Sequence, residues 1–147
     1  MKIDGFVGKA EFLSLDYLCD VTFDDITYPS ATNLFYAMKA TDRGMMRKIA
    51  RLSPKKVRQK MASWENKDWE TNKLHYLEKA CRVKFDTNPE LKKQLIATGN
   101  AELVNRVAHM DDWLGVRQDG SGKNSLGKVL MKIRKTYIDD EKRDKTT

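Results

Sequence analysis

The stretch DWETNKLHYLEKACRVKF, residues 68–85, carries the strongest helical pattern in the chain. Its apolar residues Leu74, Leu77, Cys81 and Phe85 recur at spacings of three and four, which places them on one face of an α-helix. A helix with one apolar face buries that face against other elements. We therefore expect residues 68–85 to form one helix that lines the core.

A β-hairpin is expected before this helix. The segment CDVTFDDITYPS, residues 19–30, alternates apolar and polar residues on either side of Asp24 and Asp25. This period of two around a short turn predicts two antiparallel strands, and Pro29 closes the second. Ser30 then suits the N-cap of a helix, because its side chain can accept a hydrogen bond from the first turn. The apolar face of that helix consists of Leu34, Phe35, Ala37 and Met38.

The rest of the chain is mostly helical in pattern. Further helices are expected over residues 43–52, 53–64 and 88–99. Ser53 and Pro54 match an N-cap and first helical position, and Gly99 suits a left-handed C-terminal cap. The segment AELVNRV, residues 101–107, is too short to distinguish strand from helix.

A last helix is expected to begin at Asn124 or Ser125. Its apolar residues are Leu126, Val129, Leu130, Ile133 and Tyr137. After it, DDEKRDKTT at residues 139–147 is typical of a charged, frayed tail. We predict a mostly helical α+β fold with a small N-terminal β-hairpin or sheet, as one domain over residues 1–138 followed by this tail.

Length and composition fit one globular domain, with 147 residues of which 40% are hydrophobic and 33% charged. Cys19 and Cys81 lie in apolar or helical sequence, which favours buried thiols in a reducing compartment over a disulfide. His75 and His109 lack further ligands at a metal-binding spacing, so no metal site is predicted. No apolar stretch reaches membrane-spanning length and no signal peptide is evident, which predicts a cytoplasmic protein.

Positive charge is concentrated in one segment. RGMMRKIARLSPKKVRQK, residues 43–60, contains eight Lys and Arg residues and no acid, so the remaining chain carries a net −1 out of the total of +7. A one-sided positive field favours a polyanion such as nucleic acid. The alternative is a solvated helical surface without a ligand.

A glycine-rich loop precedes the last helix in DGSGKNSLGKVLMKIR, residues 119–134. It is not a P-loop, because Arg117 and Asn124 stand where that motif needs Gly and Ser or Thr. Gly120 and Gly122 still lead into a helix whose first N–H groups could face an anion.

Asp111, Asp112 and Trp113 precede this loop, and Lys123 lies within it. Carboxylates can balance positive charge on a sugar, an indole can stack on a base, and Lys with loop N–H groups can hold phosphate. The alternative interpretation is a turn that is capped by Asp, with Trp113 in the core.

Four segments together resemble the NADAR (YbiA-like) family, which is named for nicotinamide adenine dinucleotide and ADP-ribose. They are FLSLDYLCDVTFDDITYPS (12–30), KDWETNK (67–73), KFDTNPELKKQLIATGNAELV (84–104) and GKNSLGKVLMKIR (122–134). Lys39 also falls where the family has an Ala-Lys pair. The resemblance extends from Phe6 to Arg134 and implies the NADAR fold.

Members of this family are N-glycosidases that cut a bond between ribose and nitrogen, in a riboflavin-pathway intermediate or in ADP-ribose attached to guanine in DNA. The resemblance therefore implies a nucleotide-sized pocket and no cofactor. The substrate-binding residues that it implies are Ser14, Lys39, Trp69, Trp113, Gly122, Lys123 and Asn124.

The chain departs from the family at its acidic motif. Where the family has VEHAYQ, this chain has ATNLFY, so Thr32 replaces the glutamate usually assigned to catalysis and Asn33 replaces the histidine. The family motif FLSNF is FLSLD here, which introduces Asp16. Asp111 matches the acid of the family's D-x-x-W-G motif. We therefore expect Asp111 to be the main catalytic acid, with Asp16 partly replacing the lost glutamate.

The leading hypothesis is an N-glycosidase that removes ADP-ribose from guanine in DNA, with ADP-ribosylated DNA and ADP-ribose as partners. A compact, basic member of this kind is similar to phage proteins that counter DarT-type DNA-modifying toxins, which would act in the host cytoplasm. The residues expected to contact nucleic acid are Arg47, Lys48, Arg51, Lys55, Lys56 and Arg58.

Two alternatives remain open. Loss of the glutamate would also fit a catalytically degenerate protein that binds ADP-ribose without cleaving it. The segment MMRKIARLSPKKVRQKMASW, residues 45–64, also resembles a helix-turn-helix, which would suit a DNA-binding regulator.

Overall fold

A computed structural model describes residues 1–107 and 111–146, so His109 lies outside the described residues. A 3-10 helix spans Gly8–Leu13. The strands are β1 Lys2–Asp4, β2 Val21–Phe23, β3 Ile26–Tyr28 and β4 Glu102–Val104. The α-helices are α1 Ala31–Ala37, α2 Arg43–Ala50, α3 Pro54–Met61, α4 Lys67–Thr71, α5 Lys73–Thr87, α6 Pro89–Ala97 and α7 Ser125–Thr146. The predicted class, mostly helical α+β, is confirmed.

The chain forms two compact units, one of Leu15–Pro89 and one of Met1–Ser14 with Glu90–Thr147. In the first unit, β2 and β3 form the predicted antiparallel hairpin. Asp24 and Asp25 have φ angles of 52° and 65°. Two successive residues with positive φ make the tight turn that matches the twist of a hairpin, and Asp tolerates this conformation well.

Local capping signals determine where the helices of this unit begin. The Ser30 side chain accepts from the Asn33 N–H and starts α1, as predicted. The Ser53 side chain accepts from the Lys56 N–H and starts α3, with Pro54 at the first position. Helices α2, α3 and α5 all pack against α1, which is therefore the centre of the unit.

The stretch that was expected to form one helix is divided at Asn72 into α4 and α5. The Asn72 side-chain amide donates to the Asp68 carbonyl at 3.0 Å, a local bond that competes with helix continuation. Leu77, Cys81 and Phe85 are buried as predicted. Leu74 is 55% exposed, so the prediction was wrong for this residue, which lies in the first turn after the break.

In the second unit, β1 and β4 pair in parallel, with Ile3 opposite Leu103. The undecided segment 101–107 thus contains a strand. Helix α7 packs on β4, and Gly127 permits this approach because a Cβ there would lie 2.2 Å from the Leu103 carbonyl oxygen. Gly99 has a φ of +66° and follows α6, as predicted.

The apolar face predicted for α7 is confirmed, because all five of its residues are buried: Leu126, Val129, Leu130, Ile133 and Tyr137. The helix continues past residue 139 to Thr146, where a frayed tail was expected. An ion pair at i,i+4 between Lys135 and Asp139, at 2.8 Å, supports this extension. Within the described residues, no helix is long and apolar enough to cross a bilayer.

Candidate active site

Thr32, at the position of the family glutamate, lies in the first turn of α1 and is buried. Its hydroxyl donates a hydrogen bond to Asp16 Oδ1 at 2.5 Å. The backbone joins the same two segments, because the Thr32 N–H donates to the Leu15 carbonyl at 3.0 Å. A carboxylate therefore lies within hydrogen-bonding distance of the position where the resemblance leads one to expect an acid.

The other oxygen of Asp16 is held by Arg58 of α3. Arg58 Nη1 donates to Asp16 Oδ2 in a short ion pair, and both side chains are 40% exposed. An ion pair this open to water contributes about 0–1 kcal/mol to stability. The exposure also leaves the carboxylate within reach of a ligand from solvent.

Lys84 of α5 belongs to the same electrostatic environment. It is 1% exposed, and burial lowers the pKa of its ammonium group to about 8, although Cys81, Cys19 and Asp16 oppose that shift. In the sequence, Lys84 lies three residues after Cys81, on the apolar face of α5. A charged residue at such a position indicates a buried lysine. It was missed because this face was interpreted only as core.

Asn33, which replaces the family histidine, has a structural role. Its side-chain amide donates to the carbonyl oxygens of Ile49 at 2.8 Å and Leu52 at 2.9 Å. The Ser30 hydroxyl donates to Asn33 Oδ1 at 2.6 Å. This buried side chain therefore ties the start of α1 to the end of α2.

Lys39 and Trp69 form a buried pair. Lys39 Nζ donates to the Met61 carbonyl at 2.9 Å and to the Trp64 carbonyl at 3.1 Å, and it lies 4.4 Å from the centre of the Trp69 ring. Trp69 Nε1 donates to the Phe35 carbonyl at 2.9 Å. Burial lowers the pKa of Lys39. Lys39 thus holds the end of α3 and Trp69 binds α1, and their predicted contact with substrate stays a prediction.

The side chains of Asp111 and Asn124 both bind backbone groups of the second unit. Asp111 Oδ1 accepts from the N–H groups of Trp113 at 3.0 Å and Leu114 at 2.9 Å. Asn124 Oδ1 accepts from the Asn105 N–H at 2.9 Å, and its Nδ2 donates to the Leu103 carbonyl at 3.0 Å. Asn124 is only 9% exposed. The Asn124 side chain therefore connects the start of α7 to β4. The Asp111 side chain caps a turn, as in the alternative interpretation of this segment.

The glycine-rich loop does not present its N–H groups to an anion in the way that the sequence indicated. The N–H groups of residues 123–126 donate to the carbonyl oxygens of residues 112–115, at distances of 2.7–3.2 Å. Gly122 has a φ of +122°, and a Cβ there would lie 2.3 Å from the Gly115 carbonyl oxygen. The N–H groups of residues 123–126 are therefore not free to bind an anion, because this loop packs on the preceding turn.

The other predicted binding residues of this unit differ in exposure. Ser14 ends the 3-10 helix and is half-buried, as is Trp113, whereas Lys123 is exposed. The predicted site residues are thus divided between the units, with Asp16, Lys39 and Trp69 in the other one.

Most of the basic segment is exposed on α2 and α3. The exposed members of the predicted nucleic-acid-binding set are Arg47, Lys48, Arg51, Lys55 and Lys56. Arg58 is the half-buried member and pairs with Asp16. Outside that set, Arg43 pairs with Asp24 at 2.9 Å. In the part of the chain that is described, no three His, Cys, Asp or Glu side chains are grouped to hold a metal ion.

Comparison with protein-family models matches residues 7–137 to the NADAR domain, a span that includes parts of both units. A riboflavin biosynthesis protein of Vibrio vulnificus (strain YJ016) is 31% identical over 84% of this chain, which spans only 34% of that protein. The N-glycosidase YbiA of Escherichia coli (strain K12) is 34% identical over 78% of this chain and 73% of its own length.

A solved structure is also similar. The NMR structure of the E. coli protein YbiA matches with a TM-score of 0.83 and 28% identity, over 96% of this chain and 86% of that one. Relatives that are named N-glycosidase, together with this match in structure, support a glycosidase-type function.

Proposed function

Because the chain belongs to the NADAR domain family, we propose that it is an N-glycosidase that removes ADP-ribose from guanine bases in DNA. Relatives named N-glycosidase support the glycosidase-type activity. The DNA substrate, and a role in countering a DNA ADP-ribosylating toxin during phage infection, are our proposals. The chain covers about a third of the riboflavin biosynthesis protein that it matches, so we do not transfer the activity of that whole protein.

The observation that carries the proposal is the contact between Asp16 and Thr32. The chain lacks the family glutamate, yet a carboxylate with a 40% exposed side chain lies beside its position. Asp111 was the other predicted acid, and its Oδ1 caps a turn. We therefore rank Asp16 ahead of Asp111 as the acid of the reaction.

Hydrolysis of an N-glycosidic bond needs such a group. As the bond between the anomeric carbon and the guanine nitrogen breaks, its electron pair passes to the nitrogen and positive charge develops on the ribose. The Asp16 carboxylate would stabilise that charge and accept a proton from the water whose oxygen bonds to the anomeric carbon. The guanine nitrogen recovers a proton from solvent, and the products are ADP-ribose and unmodified DNA.

The exposed cations of α2 and α3 support a DNA substrate over a free nucleotide. Five Lys and Arg residues of the predicted set are exposed there, and a row of cations increases affinity for a phosphate backbone without reading its sequence. A free nucleotide carries too few phosphates to need them. The same helices leave a DNA-binding regulator as the second candidate, since α2 and α3 follow each other as helix, turn and helix.

The test is release of ADP-ribose from an oligonucleotide that carries ADP-ribosylated guanine, followed by mass spectrometry. We expect the wild type to regenerate unmodified oligonucleotide and Asp16→Asn to do so far more slowly. Tight binding without release would instead identify a degenerate ADP-ribose binder. Protection of one DNA sequence irrespective of modification would favour the regulator.

A further inference from the structure

Arg58 differs from the other cations of the basic segment in its surroundings. The exposed residues Lys55 and Lys56 precede it on α3, whereas Arg58 is half-buried and lies against Asp16, 42 residues earlier in the chain. The neighbouring residues Val57 and Met61 are buried, and α3 packs against α1. Arg58 therefore lies at the edge of the packed side of α3, beside Asp16, which also binds Thr32.

We propose that Arg58 is a positioning residue for the Asp16 carboxylate and not a contact to DNA phosphate, an inference that rests on the proposed function. Thr32 holds Oδ1 and Arg58 holds Oδ2. A carboxylate held at one oxygen can rotate about its Cβ–Cγ bond, whereas bonds to both oxygens fix its plane. Arginine suits this role, because its guanidinium is planar and keeps its charge at all relevant pH values.

This arrangement predicts which kinetic constant, kcat or KM, changes when Arg58 is replaced. Arg58 acts on the substrate only through Asp16, so its loss should lower kcat and leave KM nearly unchanged. Misplacing a reacting group by about 1 Å can cost about a hundredfold in rate.

The experiment measures kcat and KM on the ADP-ribosylated oligonucleotide for four variants: Arg58→Gln, Arg58→Lys, Asp16→Asn and the Asp16→Asn/Arg58→Gln double variant. We expect kcat to fall about tenfold or more in Arg58→Gln with KM within about twofold, and to be partly restored by Lys. In the Asp16→Asn background, Arg58→Gln should cause no further loss, because residues that act as a unit are not additive.

Two measurements separate this role from the alternatives. Lys93→Gln removes one positive charge from another exposed ion pair and should match the wild type. The salt dependence of binding to unmodified duplex DNA should be the same in Arg58→Gln and wild type, since a residue that touches no phosphate releases no counterion. If Arg58→Gln unfolds the protein, Arg58→Lys provides the same kinetic comparison.

Several outcomes would overturn the proposal. A wild-type kcat in Arg58→Gln with a flatter salt slope would make Arg58 a phosphate-binding residue, while the proposed function would stand. Equal losses from Arg58→Gln with and without the Asp16 carboxylate would show that Arg58 acts independently of it. A wild type that releases no ADP-ribose would reject the proposed function itself and this inference with it.

Discussion

Asp16 and Thr32 are joined by a 2.5 Å hydrogen bond across sixteen residues of sequence. Both are departures from the family pattern, one adding an acid and the other removing one. Their contact links the two changes physically, because the added carboxylate binds the side chain that replaced the glutamate. A carboxylate therefore lies beside the helix position at which the family acid is missing.

If Asp16 replaces the family glutamate, a glutamate at position 32 should compensate for the loss of Asp16. We predict that Asp16→Asn lowers turnover about a hundredfold or more, the usual scale for removing a positioned acid or base. The double variant Asp16→Asn/Thr32→Glu should recover part of the activity, because it returns a carboxylate to the helix. Single-turnover release of ADP-ribose measures both rates.

Asp111→Asn is the matched comparison for this prediction. Its side-chain oxygen can still accept from the N–H groups of Trp113 and Leu114, so the turn is kept and only the charge is lost. We expect a smaller loss of turnover than in Asp16→Asn. The reverse order would return Asp111 to first place as the catalytic acid.

Asn124→Ala should destabilise the protein. The change leaves the part-buried Asn105 N–H and the buried Leu103 carbonyl without their partner, and an unsatisfied buried group costs about 1–3 kcal/mol. The φ of 51° adds strain for Ala. Chemical denaturation should show this loss, whereas Ser121→Ala in the exposed loop should cost less than about 0.5 kcal/mol. If Asn124→Ala folds normally and loses ADP-ribose affinity, the residue binds substrate after all.

Much of the fold was predictable because its signals are local. The Asp24 and Asp25 turn and the caps at Ser30 and Ser53 depend on residues within a few positions of each other. Pairing of β1 with β4 was not predictable, because two three-residue strands about a hundred positions apart carry no detectable period. Asn72 likewise broke a helix that its hydrophobic pattern would have continued.

The sequence could indicate which residues belong to the candidate site, but not what their side chains contact. The family pattern indicated Lys39 and Asn124, and a departure from it introduced Asp16, but the pattern could not show that Lys39 and Asn124 are satisfied by backbone groups inside the protein. Arg58 was assigned to DNA because its neighbours in sequence are basic. Its pairing with Asp16 depends on the packing of α3 against α1, which no local pattern reports.

Binding of DNA should depend on exposed cations of α2 and α3. We predict that changing Arg51, Lys55 and Lys56 together to Ala weakens binding to all modified oligonucleotides alike. The slope of log K against log salt should flatten by about 0.9 for each duplex phosphate that the variant no longer neutralises. Fluorescence anisotropy over a salt series measures the slope. An unchanged slope would remove this surface from the DNA interface.

Lys84 should make stability depend on pH. Its pKa is about 8 in the folded protein against an ordinary value of 10.5. Between these values the unfolded chain binds a proton that the folded chain does not, so the contribution of Lys84 to the free energy of unfolding increases with pH, by at most about 1.4 kcal/mol per unit. Below about pH 8 both states are protonated, and the full cost of burying the charge is present.

We therefore predict that the stability of Lys84→Met relative to wild type decreases as pH rises from about 8 to about 10.5, because only the wild type gains stability from losing the buried charge. Chemical denaturation across this range gives the difference in free energy of unfolding. Burial raises the pKa of Cys19, Cys81 and Tyr28 and so opposes this gain in both proteins, and in the wild type the Lys84 charge offsets part of the shift of the two thiols. Lys79→Met removes an exposed charge from the same helix and controls for net charge. A difference that is constant with pH would mean that burial does not impede protonation of Lys84.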